Sequence, residues 1–162
     1  MVSKKAVFYK LFHKRKNGHD KEGNVVHSTI QIGIYSTKQA AKKLIPQYKK
    51  LNGFKNFPHD FFIEQLILDY DIYSQEAVNC SAVSKKEVNV VYELSHEYEI
   101  YEGKQIYDCI TYFGIFSNQE TANRLLKKYS KLKPFSEHPD GFLVDKCFIN
   151  KSYWVDGFFI VD

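Results

Sequence analysis

The stretch IGIYSTKQAAKKLIPQYKKLNGFKNFPHDFFIEQLILD, residues 32–69, lies without a gap over FGIFSNQETANRLLKKYSKLKPFSEHPDGFLVDKCFIN, residues 113–150, at an offset of 81. Eleven pairs are identical, among them Gly33/Gly114, Ser36/Ser117, Ala41/Ala122, Tyr48/Tyr129, Phe54/Phe135 and Pro58/Pro139. Many of the other pairs are conservative, such as Ile63/Val144 and Glu64/Asp145. Upstream, YKLFHK (residues 9–14) matches YELSHE (residues 92–97) after a two-residue slip. Self-similarity at a fixed period marks a duplication. It predicts repeat one at about 5–70, a connector at about 71–87 and repeat two at about 88–160, all within a single domain over residues 1–162.

Each half carries the same physical pattern. Val7, Tyr9 and Leu11, like Val90, Tyr92 and Leu94, alternate with their neighbours as a strand does. A polar loop follows, then a second strand through Ile30, Ile32 and Ile34, or Thr111, Phe113 and Ile115. Ser36 with Gln39, and Ser117 with Glu120, have the spacing of a capping box that opens a helix. Ala41, Leu44, Ile45, Tyr48 and Leu51 form one apolar stripe, and Ala122, Leu125, Leu126, Tyr129 and Leu132 form its counterpart. Pro46 should kink the first helix, where Lys127 leaves the second straighter. Pro58 and Pro139 precede a third strand, residues 61–68 or 142–149. The expectation is an α+β fold of two tandem β-β-α-β repeats related by a pseudo-two-fold axis, with helices packed on mainly antiparallel sheet. One repeat of about 70 residues would be marginal alone, so two copies should share one two-layer sandwich or one six-stranded sheet.

The 162 residues are 44% hydrophobic, 16% aromatic and 26% charged, the composition of a globular chain with an aromatic core. No segment reaches the roughly 18 apolar residues of a membrane span. Lysines punctuate MVSKKAVFYKLFHKRK too often for a signal peptide. Cys80, Cys109 and Cys147 form no close pair and fit thiols in a reducing cytoplasm, the expected location. Cys109 and Cys147 read as buried strand residues.

The second half resembles a small bacterial domain family of unknown function. The residues that carry the likeness are YELSHEYE (residues 92–99), FGIFSNQETA (113–122), HPDGFLVDKCFI (138–149) and WVDGF (154–158). The family pattern runs Y-x-L-x-H-x-Y-E, I-G-x-Y-S, P-x-x-F and W-x-E-G-F. The first half keeps the middle of that pattern, lacks the terminal W-x-x-G-F and has H-K-R-K in place of H-E-Y-E. The resemblance implies no reaction. Small orphan domains of this kind often lie among toxin-immunity and defence loci.

No H-E-x-x-H, C-x-x-C, H-x-H, G-x-S-x-G, P-loop or G-x-G-x-x-G occurs, so no metal, cofactor or catalytic residue is assigned. His13 and His96 end equivalent strands; each reads either as a site residue or as a histidine closing its strand on a backbone carbonyl, and the second reading is favoured. Trp154, the single tryptophan, reads as a cap on the core with Phe158 and Phe159 beside it, or as an anchor for a partner.

Charge separates the halves. Residues 1–81 hold 13 Lys and Arg against 7 Asp and Glu, net +6, whereas residues 82–162 hold 10 against 12, net −2. Lys10 faces Glu93 in the alignment and Lys14 faces Glu97, so HKRKNGHDK is basic where HEYEIYEGK is acidic. Lys14, Arg15 and Lys16 could touch phosphates, but the acidic second half argues against sequence-specific nucleic-acid binding. The expected function is non-catalytic binding of a protein partner through charged hairpin loops, immunity-like in form, with Glu97, Tyr98, Glu99, Tyr101 and Glu102 meeting a basic surface. The alternatives are a small-ligand sensor in a groove between repeats, lined by Tyr9, Tyr92, His13 and His96, and an enzyme of unassigned class. Oligomeric state is left open.

Overall fold

The period-two stretches form long strands. The structure is a computed structural model that describes residues 5–19, 25–78, 83–103 and 105–159. In chain order the regular elements are strands β1 (Val7–His19) and β2 (Val25–Tyr35), helix α1 (Lys38–Tyr48), and strands β3 (Phe61–Ile67), β4 (Tyr70–Asp71) and β5 (Glu76–Ala77). They continue with β6 (Val90–Glu102), β7 (Gln105–Phe116), helix α2 (Gln119–Tyr129) and β8 (Phe142–Phe148). The fold is mixed α+β, with two helices and antiparallel sheets. Its strands form two three-stranded sheets, ordered β2-β1-β3 and β7-β6-β8, and the small β4-β5 ladder, rather than one six-stranded sheet.

The chain divides into two compact bodies. The first holds residues 7–66 and 149–159, and the second holds residues 5–6 and the described part of 67–148. The stretch expected as a connector is therefore structural in the second body, where it forms β4, β5 and a 3-10 turn at Lys85–Glu87. Likewise, the chain after β8 joins the first body.

Each body closes its core with the apolar stripe of its helix. Ala41 and Tyr48 pack with Leu11, Ile32, Tyr35, Phe54 and Phe158, flanked by Leu44, Ile45 and Leu51. Ala122, Leu125 and Tyr129 pack with Leu94, Phe113, Phe116 and Phe135. α1 runs on through Pro46 and is as long as α2, 11 residues each. Pro46 sits in the last turn, where it takes one N–H out of the helix ladder.

Three sequence expectations are corrected locally. Helix capping falls one residue later than expected: Thr37 Oγ1 accepts from the Ala40 N–H, and Asn118 Oδ1 accepts from the Thr121 N–H. Ser36 and Ser117 are displaced from that role because their own N–H groups donate to Asn150 Oδ1 (2.9 Å) and Asp69 Oδ1 (2.8 Å). The charged hairpin loops are strand instead, since β6 continues to Glu102 and β1 to His19. Cys109 and Cys147 do lie in strands but are half-buried, because both sit toward sheet edges; Cys80 lies outside the described residues.

The segment that completes each body docks on a β-bulge. The ladder slips between Leu11 and Phe12 on β1, and between Leu94 and Ser95 on β6, leaving Ile32 and Phe113 unpaired in register. A bulge frees a carbonyl from the ladder. Ile32 O accepts from the Tyr153 N–H and Phe113 O from the Ile72 N–H, both at 2.9 Å. Asn150 (φ 64°) and Asp69 (φ 55°) turn the chain through left-handed backbone, and their N–H groups donate to Ile34 O and Ile115 O. Gly33 and Gly114 make the approach possible: a Cβ there would stand 2.5 Å from Lys151 O and 2.7 Å from Tyr70 O.

Candidate acidic groove on the second body

Beyond its bulge, β6 carries His96, the last residue of the core. His96 is fully buried, packs against Phe135 and Phe142, and donates from Nε2 to the His138 carbonyl at 2.7 Å. His13 does the same in the first body, packed against Phe54 and Phe61 and donating to the Phe57 carbonyl at 2.9 Å. A carbonyl only accepts, so both rings carry their proton on Nε2. These two buried histidines tie a strand to the loop ahead of the next strand.

That bond brings the loop 135–141 against β6. Two 3-10 turns, Phe135–Glu137 and Pro139–Gly141, flank His138. Gly141 sits so close that a Cβ would lie 2.4 Å from Glu97 O. The next residue on β6, Tyr98, then stacks flat on the His138 ring, at 4.0 Å between centroids and 12° between planes. Hydrogen bonding to Cys109, its partner across the β6-β7 ladder, pushes the Tyr98 phenol above its ordinary value, and burial and Glu137 add to that.

A groove of about 360 Å³ opens beside this stack, lined by Glu97, Tyr98, Glu137, His138, Pro139 and Asp140. A second depression of about 370 Å³ continues along β6 past Glu99 to Phe142 and Leu143. Glu97, Glu137 and Asp140 line the groove beside the stack, and Glu97, Glu99 and Asp140 line the depression along β6. Lys133 pairs with Glu137 at 3.4 Å, an exposed i,i+4 contact worth little in water. Such a groove attracts cationic groups by Coulomb interaction and offers aromatic surface beside them. Among the described residues, no three His, Cys, Asp or Glu side chains converge as metal ligands do.

The structure brings together Glu97, Tyr98 and Glu99 of the expected residues. Tyr101 and Glu102 lie farther along the hairpin arm, where the Tyr101 hydroxyl donates to Glu99 and that bond raises its pKa. Trp154 is on the first body, 48% exposed, and does not cap the core. Phe158 does, at 8% exposure, because Gly157 carries the backbone against Asn52; Phe159 is 87% exposed. Sequence reasoning missed Glu137, His138 and Asp140. The available signal was the alignment of Asn56, Phe57 and His59 with these three residues beside the shared prolines. In the first body the equivalents of Glu97 and Tyr98 are Lys14 and Arg15, whose guanidinium lies over Phe57 at 5.5 Å. The rest of that basic stretch, from Lys16 on, has side chains outside the described residues.

No helix among the described residues is long and apolar enough to cross a membrane. No protein-family model, curated protein or solved structure matches the chain.

Proposed function

We propose that this chain is a duplicated β-β-α-β module, its copies related by an approximate two-fold, that acts in the bacterial cytoplasm as a non-catalytic binding protein. Its binding element is the acidic groove at Glu97, Tyr98, Glu99, Glu137 and Asp140. Its partner is a protein with a basic surface, in the manner of an immunity protein neutralising a cationic toxin. Kinship with the small bacterial domain family belongs to the same reading. The observation that carries it is a difference of charge at matching positions: Lys14 in the first body against Glu97 in the second, Arg15 against the neutral Tyr98, and Asn56 and His59 against Glu137 and Asp140. Solvated loops tolerate any charge, but here Glu97, Glu137 and Asp140 line one groove. Opposite surface charge steers encounter and fixes orientation.

The test is capture of partners by the tagged full chain from its native cell, beside a Glu97→Lys, Glu99→Lys, Glu102→Lys variant. The wild type should retain a basic protein that the variant loses, and raising the salt should weaken capture. Capture that is absent, or unchanged by the triple reversal, defeats the proposal.

A further inference from the structure

Residues 150–158 fill a cleft on the first body as an irregular segment that turns at Asn150, Trp154 and Gly157. At one end the Asn150 N–H donates to Ile34 O, its Oδ1 accepts from the Ser36 N–H, and the Tyr153 N–H donates to Ile32 O. The hydroxyls of Tyr35 and Tyr48 reach Ser152 Oγ and Tyr153 O. At the other end the Phe158 N–H donates to Asn52 O, and its ring meets Phe54 edge-on at 4.8 Å. Between these anchors the chain lifts away, leaving Trp154 (φ 59°) and Val155 exposed. Gly33, Gly53 and Gly157 each clear room where backbone passes within about 2.6 Å of a would-be Cβ. Recognition thus rests on backbone bonds, one cap and one aromatic plug.

We propose that this cleft also accepts residues 150–158 of a second copy of the chain, giving arm-exchanged dimers. Every contact named above runs from the arm to the first body, and none depends on which molecule supplies the arm. The arm arrives straight from β8, which is counted in the second body, with Ile149 as the joint and no intervening element. Its counterpart, residues 69–78, lies inside the chain between β3 and β6 and has no free end. When the contacts in cis and in trans are the same, the balance is set by local concentration alone, which is why exchange of an identical element is a low-cost route to dimers. This proposal is independent of the acidic groove.

The test is complementation between two full-length variants. Asn150→Ala with Phe158→Ala disables the arm and takes its plug out of the first body's core, so this variant should melt earlier than wild type, and an unsubstituted peptide of residues 149–159 added in trans should restore its melting point; no restoration overturns the proposal. Gly33→Ala blocks the cleft and leaves the arm intact. Native mass spectrometry should show each variant alone as a monomer and their mixture as a 1:1 heterodimer. A mixture that stays monomeric overturns the proposal. If circular dichroism shows that Gly33→Ala does not fold, a fluorescein-labelled peptide of residues 149–159 replaces it. Binding to the arm-disabled chain should be at least tenfold tighter than to wild type, whose cleft is filled, and absent for the peptide carrying both alanines. Equal binding of both peptides, or of both proteins, overturns it.

Discussion

In the first body Arg15 lies over Phe57, and in the second Tyr98 lies flat on His138, at sequence positions that correspond. Behind each pair, the same histidine-to-carbonyl bond fixes the loop to the strand, His13 to Phe57 and His96 to His138. The two bodies share the contact that shapes the site and differ in the charge beside it, Lys14 in one and Glu97 in the other. Planar stacking needs a flat group and not a particular charge, so the rims can differ without loosening what lies beneath them.

The largest expected effect addresses the shared element. His13→Ala and His96→Ala each remove a ring wedged among aromatics and leave a carbonyl without its donor. Each should cost about 3–5 kcal/mol in denaturant unfolding. The two values should agree within about 1 kcal/mol. A loss below about 1 kcal/mol for either would break the equivalence of the two bodies.

Next come the tyrosines buried in each core. Burial pushes Tyr35 up to about 12, against a lowering by Ser152; burial also pushes Tyr129 up to about 12, and its bond to the Asp71 carboxylate adds to it. A raised phenol pKa means that the fold favours the neutral form. The resulting stability is complete below pH 10 and is lost as pH rises from 10 to 12, by on the order of 2–3 kcal/mol per group. Tyrosinate absorbance should show late-titrating groups, with unfolding midpoints falling over the same window. Tyr35→Phe and Tyr129→Phe should each remove one of them, from the first body and the second. A titration curve that neither substitution changes above about pH 11 would contradict this.

A smaller difference separates the two docked segments. Asp69→Ala and Asn150→Ala both strip the acceptor from a serine N–H ahead of a helix, which costs about 1–2 kcal/mol. Asp69 should cost more, because its carboxylate accepts from both the N–H and the hydroxyl of Ser117 and places negative charge near the start of α2. Thermal melts of the two variants rank them, and a larger loss for Asn150 would reverse the argument.

These residues also mark where sequence reading stops. Strands, helices and the apolar stripes Ala41–Tyr48 and Ala122–Tyr129 were legible because periodicity is local. The displaced caps were not, since Ser36 is taken by Asn150, 114 residues away. Phe158 rather than Trp154 plugs the core for a similar reason: Asn52 and Gly53 receive the backbone around Gly157, and only folding brings them together. Of the groove, the strand residues Glu97, Tyr98 and Glu99 could be read from charge inversion. His138 could not, because its role comes from a carbonyl bond to His96, 42 residues earlier.

The smallest effect on stability tests the opening comparison most directly. Exchanging the rim residues, Arg15→Tyr in the first body and Tyr98→Arg in the second, keeps a flat group over Phe57 and over His138. Each change should shift unfolding by less than about 1 kcal/mol, because both positions are half-buried and a flat side chain still covers the ring beneath. Tyr98→Arg also places a cation among Glu97, Glu137 and Asp140, so it should weaken capture of a basic partner while leaving the melting curve nearly in place. Arg15→Tyr should leave that capture unchanged. A destabilisation above about 2 kcal/mol in either variant would show that charge and packing are not separable at this position, and the divergence of the two rims would then need a structural cause.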